Sequence, residues 1–169
     1  EILQGPIEKL RSGDLDGAIA DLDEMMGIHK TNAEVHHMFA EFANMKNAEA
    51  QDDVIPGGKI MMAYKKAMQM DEENMEYIGD FATFALECRR IPVAVKEFQR
   101  YARRLELEDI PVDEILFTAS RNIVDAIEVM DPSKQNPMVQ PWLKQALIWS
   151  VGGLGYSAED AIEMLQRED

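Results

Sequence analysis

The 169-residue sequence predicts an all-α protein built from stacked helix pairs, and three observations support this fold class. Apolar residues recur at helical spacing along most of the chain. No sustained alternation of apolar and polar residues indicates a strand, and no hairpin turn lies between β-branched runs. The helical pattern also recurs at a fixed interval. With 46% hydrophobic residues, the chain has the composition of a folded protein.

Each predicted helix of residues 7–105 has an apolar face that can pack against its neighbours. The first unit has only a short leading helix. Residues 47–58 are acidic, end in Pro-Gly-Gly and are predicted to form an inserted loop. In chain order the apolar faces are Ala18, Leu22 and Met25; Phe39 and Ala40; Ile60, Tyr64, Ala67 and Met68; Phe81 and Ala82; Val95, Phe98, Ala102 and Leu105.

The interval of the repeat is 34 residues. The first set of recurring positions precedes the second by 42 residues, and the eight additional residues fall in the predicted loop. A helix pair cannot bury its apolar stripe alone, so such pairs stack and the last pair needs a cap. The recurring positions are Ala18, Leu22 and Met25; Ile60, Tyr64 and Ala67; and Ala94, Phe98 and Tyr101.

The C-terminal part is predicted to add and cap helices. Ser157 and Asp160 have the spacing of a helix start, with the serine as cap. Trp142 and Trp149 lie seven residues apart on one helix face, where core or cap packing is favoured over an exposed anchor. The predicted helices are 112–130, 138–150 and 157–167.

The repeat pattern resembles the tetratricopeptide repeat (TPR) family. The segment "SGDLDGAIADLDEM" carries the first match, through Gly13, Leu15, Ala18 and Leu22. The departures are Lys30 and Glu72 in place of the turn proline, and Tyr101 in place of alanine. The later matches are Phe39, Ala40, Tyr64 and Ala67, and then Phe81, Ala82, Ala94 and Phe98.

This resemblance implies a TPR-like right-handed solenoid of antiparallel helix pairs, in a single domain over residues 1–169. Residues 7–105 would form about three degenerate repeats, and residues 106–169 additional and capping helices. A helical-repeat fold outside this family is the alternative.

The resemblance also implies a partner-binding groove. One TPR subclass holds a partner's C-terminal carboxylate in a basic clamp, but the matching positions here are largely acidic. A partner segment bearing Lys or Arg, with apolar anchors, is therefore expected. The predicted groove consists of Glu34, His37, Glu41, Asn44, Met45, Glu76, Thr83 and Glu87, with His36 at a packing position.

The charge distribution bears on partners as well. The net charge is −15, with −8 over residues 1–56, +2 over 57–105 and −9 over 106–169. Such a field repels phosphate backbones, so nucleic acids and anionic membranes are poor partners. A basic protein partner fits better, although the charge also serves solubility.

One basic stripe interrupts the acidic surface. Lys96, Arg100, Arg103 and Arg104 share one side of a predicted helix. This stripe either pairs internally with Glu97 and Glu106 or docks an acidic partner, including a second copy of this chain.

The adjacent histidines raise a metal alternative. His37 and Glu41, at i and i+4, can converge on one ion, but a zinc site needs a third ligand, and His29 lies in the preceding turn. Neither a Ser-His-Asp nor a Cys-His arrangement is evident. We therefore expect no catalytic residues, no cofactor and no metal.

Three functions remain open at this stage. The first is a non-catalytic interaction scaffold or adaptor. The second is a secretion-type chaperone that holds an apolar client, and the third is a metal-dependent enzyme using His37 and Glu41. The single cysteine, Cys88, is predicted to be a buried apolar residue and favours a reducing compartment, hence the cytoplasm.

Overall fold

The computed structural model describes residues 1–156 together with Glu159 and Glu163. This part of the chain contains eight α-helices and no strand, which confirms the all-α prediction. Among these residues no helix combines the length and apolarity needed to cross a membrane. The helices are α1 (Gln4–Arg11), α2 (Leu15–Ile28), α3 (Ala33–Ala50), α4 (Gly57–Met70), α5 (Met75–Glu87), α6 (Ile91–Leu107), α7 (Glu114–Met130) and α8 (Gln140–Ser150).

The helices group into two compact units, Glu1–Tyr77 and Ile78–Asp169, and the boundary falls within α5. The sequence predicts one repeat domain over residues 1–169, and that remains a prediction. Cys88, next to the end of α5, is exposed rather than buried as predicted. The buried apolar residues of α5 end at Ala85 and Leu86, and Cys88 follows the last residue of the helix into solvent.

In the first unit α1 packs against α2, α2 against α3, and α3 against α4. The predicted apolar faces of α2, α3 and α4 are buried, except that Met25 is only half-buried. Two helices of this unit, α2 and α3, begin after a residue whose side chain caps them. Asp14 accepts a hydrogen bond from the Gly17 amide at 2.9 Å, and Asn32 accepts one from Val35 at 3.2 Å.

The connection between α3 and α4 is shorter than the predicted loop over residues 47–58. Helix α3 continues to Ala50 and α4 begins at Gly57, so only residues 51–56 lie outside helices. The side-chain amide of Asn47 fastens this connection to α3. It donates to the Ile55 carbonyl at 2.8 Å and accepts from the Ile55 amide at 2.9 Å.

The second unit contains most of α5 followed by α6, α7 and α8, and α7 packs against both α6 and α8. Its core joins Phe98 of α6 to Trp149 of α8 in an edge-to-face contact, with ring centroids 6.4 Å apart. Trp149 is fully buried and Trp142 is half-buried, as the packing prediction requires. The predicted cap residues Ser157 and Asp160 lie outside the described residues.

Tyr101 occupies the position where the family pattern has alanine, and the structure gives its hydroxyl a partner. The side chain is buried in α6, and its hydroxyl donates a hydrogen bond to the Asp113 carboxylate. Asp113 also caps α7 by accepting from the Leu116 amide at 3.1 Å. Burial, followed by the bond to Asp113, raises the pKa of Tyr101 well above its ordinary value.

Candidate binding surface

His37 lies between two aromatic rings in the first unit. Its ring centroid is 4.6 Å from that of Tyr77 in α5, and the two planes are inclined by 38°. The ring of Tyr64 in α4 meets it edge-on at 6.0 Å. The imidazole is half-buried, so the packing of three helices fixes its orientation while leaving part of the ring accessible.

Carboxylates from three different segments influence the pKa of Tyr77. Burial raises the pKa of its hydroxyl, and the negative charges of Glu34, Asp71 and Glu76 raise it further. Glu34 lies in the first turn of α3, Asp71 follows α4, and Glu76 lies in the first turn of α5. We call these three acids, with His37 and Tyr77, the Tyr77 cluster.

Two of the predicted groove acids therefore act on one point of the structure, although Glu34 and Glu76 are 42 positions apart in the chain. Both are exposed and available to a partner. Asp71 and Tyr77 are not among the groove residues that the sequence predicts. Asp71 lies in a turn, to which the repeat pattern assigns no groove position, and Tyr77 belongs to the buried face of α5.

His37 and Glu41 come together as their spacing predicts. His37 Nε2 lies 3.2 Å from Glu41 Oε1, a distance that suits a hydrogen bond, or an ion pair when the imidazole is protonated. The Glu41 side chain is 42% exposed, so the pair leaves this carboxylate open to solvent. The geometry extends the acidic character of α3 by two turns from Glu34.

The remaining groove residues divide between the two units. Asn44 is half-buried and Met45 is exposed, both on α3 in the first unit. Thr83 and Glu87 lie on α5 within the second unit and are exposed. Thr83 lines a cleft of about 370 Å³, and partial burial raises the pKa of the Glu87 carboxyl. The other residues lining that cleft are Leu86, Phe98, Glu114, Ile115, Thr118, Ala119 and Asn122.

The predicted basic stripe lies on α6, and two of its four members form ion pairs with acids on this helix or directly after its end. Arg100 contacts the buried Glu97 at 2.6 Å, and Arg104 contacts Glu108 at 3.2 Å. Lys96 and Arg103 are exposed. Glu97 thus takes the pairing role proposed for it, and Glu108 rather than Glu106 is the acid that contacts Arg104.

His36 is buried, as its predicted packing role requires, with 2% of its surface exposed. Its Nε2 donates to the Lys30 carbonyl at 2.9 Å, which closes the turn between α2 and α3. The adjacent histidines therefore have separate surroundings. His36 stabilises the turn, and His37 belongs to the Tyr77 cluster.

Comparison with known proteins does not assign this chain to a family. No protein-family model matches the sequence, and no curated protein shows significant similarity to it.

Proposed function

We propose that this chain is a non-catalytic protein–protein interaction scaffold. Its helix pairs are proposed to stack as a TPR-like right-handed solenoid. One face would bind a basic or amphipathic segment of a partner protein. The single cysteine and the composition fit a role in the cytoplasm.

One observation carries the proposal: a carboxylate oxygen of Glu76 on α5 lies within 4.8 Å of a ring nitrogen of His37 on α3, and the charges of Glu34 and Glu76 both raise the pKa of the neighbouring Tyr77. Carboxylates converging from separate elements recognise Lys or Arg better than isolated surface acids, because a guanidinium can be bonded from two sides. Met45, 45% exposed and further along α3, supplies an adaptable apolar contact for the same segment.

The test compares two labelled peptides of identical apolar sequence, one bearing arginines and one bearing glutamates. We expect the arginine peptide to bind the whole chain, and the double variant Glu34→Lys, Glu76→Lys to reduce its affinity by about tenfold or more. The matched control is Glu24→Lys, Glu49→Lys. It changes the net charge equally at exposed positions of α2 and α3 outside the Tyr77 cluster.

Two results would count against the scaffold proposal. Equal binding of both peptides at moderate salt would show that the charge of the peptide does not determine its affinity. Equal loss in the two double variants would show that only net charge matters and that the Tyr77 cluster recognises nothing. If the proposal passes these tests, a pull-down from native lysate identifies the physiological partners. They are the proteins that the chain captures and that the variant with Glu34, Glu41 and Glu76 changed to Lys does not.

A further inference from the structure

A methionine-lined cleft of about 660 Å³ lies between α2 and α4 in the first unit, and it shares no residue with the Tyr77 cluster. Its apolar lining comes mainly from Met26 of α2 and from Met62 and Met70 of α4. Met62 is 51% exposed and Met70 is 39% exposed. Unbranched thioether side chains adapt to different shapes, which is why methionine-rich surfaces suit amphipathic helices.

The lining of this cleft has a net positive charge, whereas the unit that contains it has a net negative charge. Residues 1–77 carry sixteen acids and seven bases, yet three of the bases line the cleft beside one acid, Asp23. Lys59 pairs with Asp23 at 2.9 Å. Lys30 and Lys66 form no ion pair within the part of the chain that the structure describes, so their charges are available to an occupant.

His36 also lines the cleft and offers a polar contact. Because Nε2 donates to the Lys30 carbonyl, the neutral imidazole keeps Nδ1 as an acceptor. This atom is buried and has no hydrogen-bond partner among the described residues. The same bond holds the Lys30 backbone, so one buried histidine positions a cleft lysine.

We propose that this cleft binds an amphipathic helix of a partner protein. The helix would place apolar side chains on the methionines at i, i+3, i+4 and i+7 spacing and acidic side chains near Lys30 and Lys66. This partner has the opposite charge to the one proposed for the Tyr77 cluster, and the two sites are independent. The scaffold would thus hold one basic and one acidic segment.

The test uses a stapled helical peptide of about four turns, with leucines at that spacing and glutamates on both flanks. We expect titration into the full chain, labelled at the methionine methyl groups, to shift the signals of Met26, Met62 and Met70. The signal of Met130, exposed on α7, serves as the internal control and should not move. A peptide with lysines in place of the glutamates should bind at least about tenfold more weakly.

Matched variants locate the site. Lys66→Glu should weaken the acidic peptide by about tenfold, whereas Lys65→Glu, an exposed neighbour outside the cleft, should change affinity less than about twofold. Met62→Gln should weaken it as well, and Met130→Gln should not. These four side chains are exposed, and circular dichroism verifies that each variant is folded.

Three outcomes would overturn the proposal. Methyl signals of Met26, Met62 and Met70 that stay unchanged at millimolar peptide would exclude helix binding. Equal effects of Lys65→Glu and Lys66→Glu would exclude the cleft as its location. Concentration-dependent self-association that Lys66→Glu abolishes would assign the cleft to a second copy of this chain instead.

Discussion

Tyr77 shows how one side chain reports on the arrangement of several others. Its side chain is buried, its ring lies beside the imidazole of His37, and carboxylates from α3, the turn after α4, and α5 raise the pKa of its hydroxyl. A shift in its titration therefore measures whether Glu34 and Glu76 converge, with no need for an identified partner.

Replacing Glu34 and Glu76 by Gln should lower the pKa of Tyr77 toward its ordinary value, because two of the charges that raise it are removed. The residual elevation should reflect burial. Selective labelling of Tyr77 with a fluorinated tyrosine, followed by a fluorine NMR titration, measures this pKa. The control Glu49→Gln should leave it unchanged, and an unchanged pKa in the double variant would mean that the two carboxylates do not converge.

The raised pKa of Tyr77 also determines how this residue makes the stability of the fold depend on pH. Because the folded pKa of Tyr77 exceeds the unfolded value near 10, the folded state holds its proton more tightly. The stabilisation from this residue is complete below the unfolded pKa and is lost as the pH rises through the folded pKa. It contributes no pH dependence near neutrality.

A hydrogen bond between side chains links α6 to the start of α7, and a single substitution can remove it. The Tyr101 hydroxyl donates to the carboxylate that caps α7. Tyr101→Phe should therefore reduce the free energy of unfolding by about 1–2 kcal/mol, since a buried hydrogen bond to a charged group is lost. Urea denaturation measures this difference. Tyr156→Phe, at an exposed tyrosine, is the control and should change stability by less than about 0.5 kcal/mol.

The side-chain amide of Asn47 supplements the backbone hydrogen bonds that hold the connection between α3 and α4. Asn47→Ala removes both hydrogen bonds to Ile55 and should cost about 1–2 kcal/mol of unfolding free energy. Proteolytic cleavage within residues 51–56 should become faster, because the segment loses its attachment to α3. Asn44→Ala, one turn earlier on α3, provides the comparison. Equal cleavage rates in the two variants would contradict the role of Asn47.

These elements also show what the sequence alone can predict. Periodic apolar spacing placed Phe39, Tyr64 and Phe98 on buried faces, because burial follows the 3.6-residue period directly. The loop was predicted too long, since it was taken from the repeat interval, whereas Ala48, Glu49 and Ala50 have high helix propensity and extend α3.

The site was predictable only in part. Glu34, His37, Glu41 and Glu76 follow from the repeat spacing, but a turn residue such as Asp71 reaches its neighbours through tertiary packing, which no local pattern encodes. The methionine-lined cleft was missed for the same reason. Its residues come from α2, a turn, α3 and α4, and each separate segment has an ordinary amphipathic pattern.

For the whole molecule, the net charge of −15 dominates the response to salt. Raising NaCl from about 0.02 M to about 0.2 M should raise the melting temperature, because screening reduces repulsion among the acids. Salt also weakens the stabilising ion pairs on the surface, but this loss of stability is smaller than the gain from reduced repulsion. Scanning calorimetry measures the effect, and near the sequence pI of about 4.5 it should disappear. A fall in melting temperature with salt at neutral pH would show that attractive pairs outweigh the repulsion.

The exposure of Cys88 has a practical consequence. Because the chain has one thiol and it faces solvent, a maleimide dye would label every molecule at the same place, next to the end of α5. Without a reducing agent, two molecules would join covalently through this sulfur. Sizing measurements on old samples would then show a dimer that owes nothing to either proposed binding site.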